Sequence, residues 1–200
     1  MHIIDLAEQT RLMGQTAPAL ESLREEVDQA RAGEISKPVR ELAPIALRAQ
    51  ELSMGCTQQL AVLSTSQYAV MKDGHENLAE LAQVSAQVSL AASMCTLAIH
   101  TRTEVLLYED ADETPEASRR ILKDAAERMD VSAKAYRGLA QRLSRRLASA
   151  AAQRGDQRLI DQALASPGIT TPSSEAAATA VSATCPPPSP ASRVSMRATR

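Results

Sequence analysis

Few side chains in this chain can do chemistry, and they are not spaced to do it together. The histidines are His2, His75 and His100, far apart in sequence. Cys56 and Cys95 fall among helix formers, and Cys185 sits in a proline-rich stretch. A metal site in a helical bundle needs inward Glu residues and Glu-x-x-His pairs, and no Glu-x-x-His occurs. Walker loops, Cys-x-x-Cys and His-Glu-x-x-His are absent as well. Seven glycines are too few to build a nucleotide-cradling loop and the turns. No nucleophile, base or metal constellation can be assembled, so the expectation is a non-enzyme with no cofactor.

Two charged clusters hold the remaining chemistry. The acids Glu109, Asp110, Asp112, Glu113 and Glu116 lack the spacing and the Gly of a calcium loop. They suit the positive end of a helix dipole instead. Arg137, Arg142, Arg145 and Arg146 form the candidate anion-binding face, and such a row can grip phosphate. No aromatic residue or recognition helix accompanies it. Nucleic acid is therefore an alternative partner, not the first.

A third candidate is a stripe of short polar residues. Ser85, Ser89, Ser93, Thr96 and His100 recur at intervals of three and four, so they lie along one side of a helix. Lys, Glu and Arg are missing from it, although a solvated helix face normally carries them. Small hydroxyls permit close approach by another helix. Either the bundle covers this stripe internally, or a second copy or partner protein docks there.

The elements that must position these residues are helical. There is no Phe or Trp, and only Tyr68, Tyr108 and Tyr136. Scarcity of aromatic and β-branched residues counts against a sheet. Ala, Leu, Glu, Gln and Arg, all good helix formers, dominate. Their abundance also fits a GC-rich bacterial genome.

Leu6, Met13, Leu20 and Val27 repeat every seven residues, as do Leu42, Ala49, Cys56, Leu63 and Val70. Such rows are helix seams. A third helix carries Leu78, Leu81, Val84, Val88, Ala92, Cys95, Ile99 and Leu106. A fourth carries Leu122, Ala125, Met129, Tyr136, Leu139, Leu143 and Leu147. Gly14 and Pro18 predict a break or kink near 14–18, with Thr16 as a candidate cap. Ser36 is expected to start the second helix and Asp73-Gly74 to end it. Thr114-Pro115 should open the fourth, and Gly155 should break it.

Short connections force antiparallel neighbours. The expected fold is all-α: an elongated antiparallel four-helix bundle over residues 1–165. Residues 166–200 are rich in Pro, Ser, Ala and Thr without period. They cannot repay the entropy of ordering and are expected to form a disordered tail. A turn centred at residues 74–75 would place Cys56 near Cys95, both on seams, as small packed hydrophobes.

Net charge is −2, so no global field draws the chain to nucleic acid or membrane. The window Leu81–Thr101 carries no formal charge and is long enough to span a bilayer. It holds only six Leu, Val or Ile residues against eight Gln, Ser, Thr and His side chains, which argues against a membrane span. "MHIIDLAEQTR" has no basic n-region or apolar run, so a secretory signal peptide is not expected. A cytoplasmic location with reduced thiols follows.

"YEDAD" sets Tyr108 and Asp112 in a Tyr-x-x-x-Asp pattern just after a helical hairpin. This resembles the export signal of the small helical-hairpin substrates of type VII secretion. The resemblance covers five residues and the hairpin, and implies that Tyr108 and Asp112 are read by a secretion machinery. The turn "KDGHEN" lacks the Trp-x-Gly of that family. From the residues alone, the expected role is a helical interaction and assembly module that associates with itself or with a protein partner.

Overall fold

The computed structural model describes residues 2–107 and 115–165. Among them the fold is all-α, with five helices and no strand. Helix α1 spans Leu6–Ala32, α2 Pro38–Ser64, α3 Gly74–Leu107, α4 Pro115–Ala148 and α5 Ala150–Ala165. A 3-10 turn, Gln67–Val70, joins α2 to α3.

Asp5 begins α1 by accepting hydrogen bonds from the backbone N–H groups of Ala7 and Glu8, at 2.9 and 3.3 Å. The helix then runs unbroken through Gly14 and Pro18, contrary to the expected break. Both residues face water, whereas Met13, Ala17 and Leu20 are buried. Water is available to the carbonyl that proline leaves without a partner, and the buried seam outweighs a cost of about 3 kcal/mol. Thr16 caps nothing; its hydroxyl donates to the Leu12 carbonyl in the same helix.

Helix α2 starts at Pro38, two residues after the expected Ser36. The Glu41 carboxylate accepts from both the Ser36 hydroxyl and the Lys37 N–H, so an acid inside the first turn does the capping. Helix α4 begins at Pro115; its expected cap, Thr114, lies outside the described residues. The break after α4 comes at Ser149, not Gly155, which sits inside α5. Ser149 accepts from the Ala152 N–H, and this cap outweighs the weak helix propensity of a glycine.

Side-chain contacts join the long helices at several levels. Gln59 of α2 donates to the Gln9 carbonyl of α1, and Arg48 pairs with Glu26 further along both. Ser53 meets Ser89, and Thr57 meets Ser85, between α2 and α3. Arg128 donates to Gln87, and Arg142 pairs with Glu80, between α4 and α3. Arg137 of α4 reaches Glu21 of α1. The α1–α4, α2–α3 and α3–α4 contacts are extensive, and α1–α2 is lighter.

The first two seams are nearly complete. Met13, Leu20 and Val27 are buried, as are Leu42, Ala49, Cys56 and Leu63. On α3 the row from Leu78 to Cys95 is buried, but Leu106, expected on the seam, is exposed. Tyr136, wholly enclosed, is the largest side chain of the core.

The turn between α2 and α3 is built by specific contacts. Residues 2–4 run beside it: the His2 N–H donates to the Thr65 carbonyl, and the Gln67 N–H to the His2 carbonyl. The buried Gln67 amide satisfies both backbone groups of Ile4. Asp73 takes a left-handed φ of 62°. Gly74 is required by close approach, because a Cβ there would lie 2.2 Å from the Tyr68 carbonyl oxygen. At Gly14 a Cβ would meet nothing within 4 Å. Gly14→Ala should therefore stabilise the chain by about 0.5–1 kcal/mol through helix propensity. Gly74→Ala should destabilise it by about 1–3 kcal/mol through overpacking. Urea unfolding of the two variants checks both signs.

Candidate functional site

The hydroxyl stripe of α3 is split lengthwise by α2. Ser85 is buried and Ser89 half-buried, because Thr57 and Ser53 of α2 lie 3.3 and 2.6 Å from them. Midway between each bonded pair lies residue 71, so the turn is centred there and not at 74–75. The 3-10 turn and Met71 take up the difference. Further along, Ser93, Thr96 and His100 are exposed. Ser93 and Thr96 donate to their own helix, at the Ser89 and Ala92 carbonyls. His100 faces Glu104 at 3.3 Å, an ion pair when the imidazole is protonated.

Beside this exposed half stand large apolar side chains that the sequence reading did not single out. Leu90 is 42% exposed, Leu97 50% and Met54 58%. Met54 and Leu90 each follow a serine of the Ser53–Ser89 contact, so they occupy one level of the helix pair. A signal for them exists in the sequence. Leu47, Met54 and Ala61 form a second seven-residue row on α2, and Leu90 and Leu97 are seven apart on α3. These rows lie outside the seams, on the side facing away from the core. Between them Ala82, Ala86 and Ser93 are exposed and small. The surface carries no formal charge over residues 52–71 and 81–99.

Helix α3 is long and apolar enough to cross a bilayer by length and composition, the one such helix among the described residues. Its inward side instead packs on α2 and α4, where Gln87 accepts from Arg128.

The arginine face is largely neutralised from within. Arg137 pairs with Glu21, Arg142 with Glu80, and Arg146 with Asp156 and Asp73. Arg145 donates to the Gln141 carbonyl of its own helix. Arg142, Arg145 and Arg146 line a cleft of about 450 Å³ with Tyr68. Asp73, Glu76 and Glu80 line it too, so three cations face three carboxylates. Exposed pairs of this kind contribute about 0–1 kcal/mol each. Their stronger effect is to occupy the guanidinium groups that a phosphate would need. Arg146 is the enclosed member, 18% exposed against 7% for Asp156. Its hydrogen bonds to that carboxylate raise its affinity for the proton further.

Cys56 and Cys95 are both free and buried. Burial pushes the Cys95 thiol up to about 11, and raises Cys56 as well. Tyr136 lies against Cys56, with its own ionisation suppressed by burial, yet its hydroxyl has no hydrogen-bond partner of ordinary geometry. These groups are buried in the core and protonated at neutral pH, which disfavours the reactive thiolate. Among the described residues no three His, Cys, Asp or Glu side chains converge to hold a metal. Tyr108 and Asp112, the candidate export signal, lie outside the described residues.

No protein-family model, curated protein or solved structure matches the chain.

The thiol environment makes a direct prediction. In a Cys185→Ser chain at pH 8, Cys56 and Cys95 should resist a maleimide or disulfide reagent for hours, and both should react within minutes in denaturant. Rapid labelling of either one in native buffer would show that the core opens around it.

Proposed function

We propose that α1 to α4 act as an elongated, antiparallel four-helix bundle whose role is assembly, not catalysis, and that the bundle associates with a second copy of itself through the outer face of α2 and α3. The observation that carries this reading is the neutral apolar surface made by Met54, Leu90 and Leu97 around Ala82, Ala86 and Ser93. Large apolar side chains that stand together on a surface mark interaction sites more often than single ones do.

A second copy is favoured as occupant by the absence of charge. When identical surfaces meet, every charge risks facing its own kind, and like-charge juxtaposition is costly. The outer sides of α1 and α4 carry dense charge, with Arg11 beside Glu8, Lys123 beside Glu127 and Lys134 beside Asp130. Those sides suit water. Over residues 52–71 and 81–99 the α2–α3 side can meet its own image without facing an ion, and its small residues allow the backbones to come close. The neutralised arginines support the same choice over nucleic acid.

Three substitutions on α3 separate the roles of its positions. Leu97→Glu and Ser93→Glu should leave thermal stability within about 0.5 kcal/mol of the parent, since both positions are exposed. Each should weaken self-association at least tenfold in sedimentation experiments. Ser85→Glu should instead lower stability by several kcal/mol, because it buries an unpaired charge against α2. Unchanged sedimentation of both exposed variants would remove the face from the account.

A further inference from the structure

The α4–α5 junction has a different construction from every other turn described in the fold. A single residue, Ser149, separates two helices, and the surrounding sequence "RRLASAAAQR" contains no Gly or Pro. Such a sequence favours one continuous helix. The bend persists because side chains satisfy the backbone groups it frees. The Ser149 hydroxyl accepts from the Ala152 N–H, and the Gln153 amide donates to the Leu147 carbonyl.

What α5 gains by folding back is narrow. Asp156 is its one buried residue. The Asp156 carboxylate accepts from the Arg146 guanidinium through two nitrogens and from the Lys72 N–H. Ile160 is half-buried beside it. Around this latch a cavity of about 480 Å³ remains, lined by Ile3, Leu6, Met71, Leu147, Ile160 and Leu164 among others. The seat is therefore loosely filled and held by one enclosed ion pair.

We propose that α5 is exchanged between two copies of the chain. The bend at Ser149 straightens, α4 and α5 become one helix, and Asp156 of each copy pairs with Arg146 of the other. Every contact at the seat is reproduced in the exchanged form, and only the hinge differs. Exchange of an identical element closes with two-fold symmetry and needs no new surface. The contact lies at the end of the bundle where α5 folds back. It does not involve the outer face of α2 and α3, so either proposal stands or falls without the other.

The test uses a Leu97→Glu background, which silences the lateral face. One chain carries Asp156→Arg and thus two cations at its own seat. The other carries Arg146→Asp and thus two carboxylates. Exchange matches charge at both seats of the mixed pair, while neither chain is matched alone. Native mass spectrometry of the 1:1 mixture should show a heterodimer at a level at least tenfold above either homodimer. A chain carrying both substitutions is matched at its own seat again and should return to the monomer–dimer balance of the Leu97→Glu parent.

Ser149→Ala, in the same Leu97→Glu background with the latch intact, removes the cap and supplies the best helix former. It should tighten dimerisation about tenfold or more, since loss of one cap is worth roughly that factor and two hinges straighten. Absence of a heterodimer in the mixture, or a Ser149→Ala chain as monomeric as its parent, would overturn the proposal.

Discussion

Ser53 and Ser89 touch hydroxyl to hydroxyl, 2.6 Å apart, and helices can make that contact only when their facing side chains are short. One turn further, Thr57 and Ser85 do the same. Close approach of α2 and α3 follows, and much else depends on it. On the inner side of this pair Ala49, Cys56, Val88, Ala92 and Cys95 are buried among Leu42, Leu63 and Leu81, without any aromatic of either helix between them. Tyr136 comes in from α4 to fill the space such small residues leave. On the opposite side of the same pair Met54, Leu90 and Leu97 meet solvent. The inner seam and the outer face are two sides of one helix pair.

Charge is distributed by the complementary rule. Where the helices are held by longer reach, arginines do the holding: Arg48 to α1, Arg128 and Arg142 to α3, Arg137 to α1, Arg146 to α5. A guanidinium on a long stem can bridge helices that small residues cannot. The basic second half of α4 is thus explained as a set of internal braces. Its balance against Glu21, Glu80, Asp73 and Asp156 leaves little field outside the molecule. The surface free of ions and rich in apolar groups is then the one with most to gain from being covered.

Much of the fold was legible in the sequence, since seven-residue rows report burial directly. Leu63, Cys56 and Met129 needed nothing more. Helix ends were less legible. Pro18 and Gly14 look like a break, but a proline on the wet side of a helix costs only what a buried seam can outweigh. Ser149 does not look like a break, and the seat that receives α5, with Asp156 against Arg146 and the Lys72 N–H, joins residues up to 84 apart in the sequence. The stripe was legible as a stripe, but its two halves differ only through the register of α2. That register was shifted by a 3-10 turn whose hydrogen bonds come from His2 and Ile4, more than sixty residues away in sequence. The apolar face was hidden in plain view as a second row on each helix, overshadowed by the seam beside it.

Assembly through the α2–α3 face is most directly tested at Met54, which sits on that face and is 58% exposed in the single chain. Oxidation of a methionine to its sulfoxide requires access of peroxide to the sulfur. The rate at Met54 should be measured by peptide mass spectrometry at protein concentrations from below 1 μM to several hundred μM, roughly the span over which associations of ordinary strength form. Buried Met13 serves as the internal reference. Met54 oxidation is expected to slow several-fold as concentration rises, and Leu97→Glu to abolish the slowing. A Met54 rate that is the same at every concentration would contradict assembly through this face.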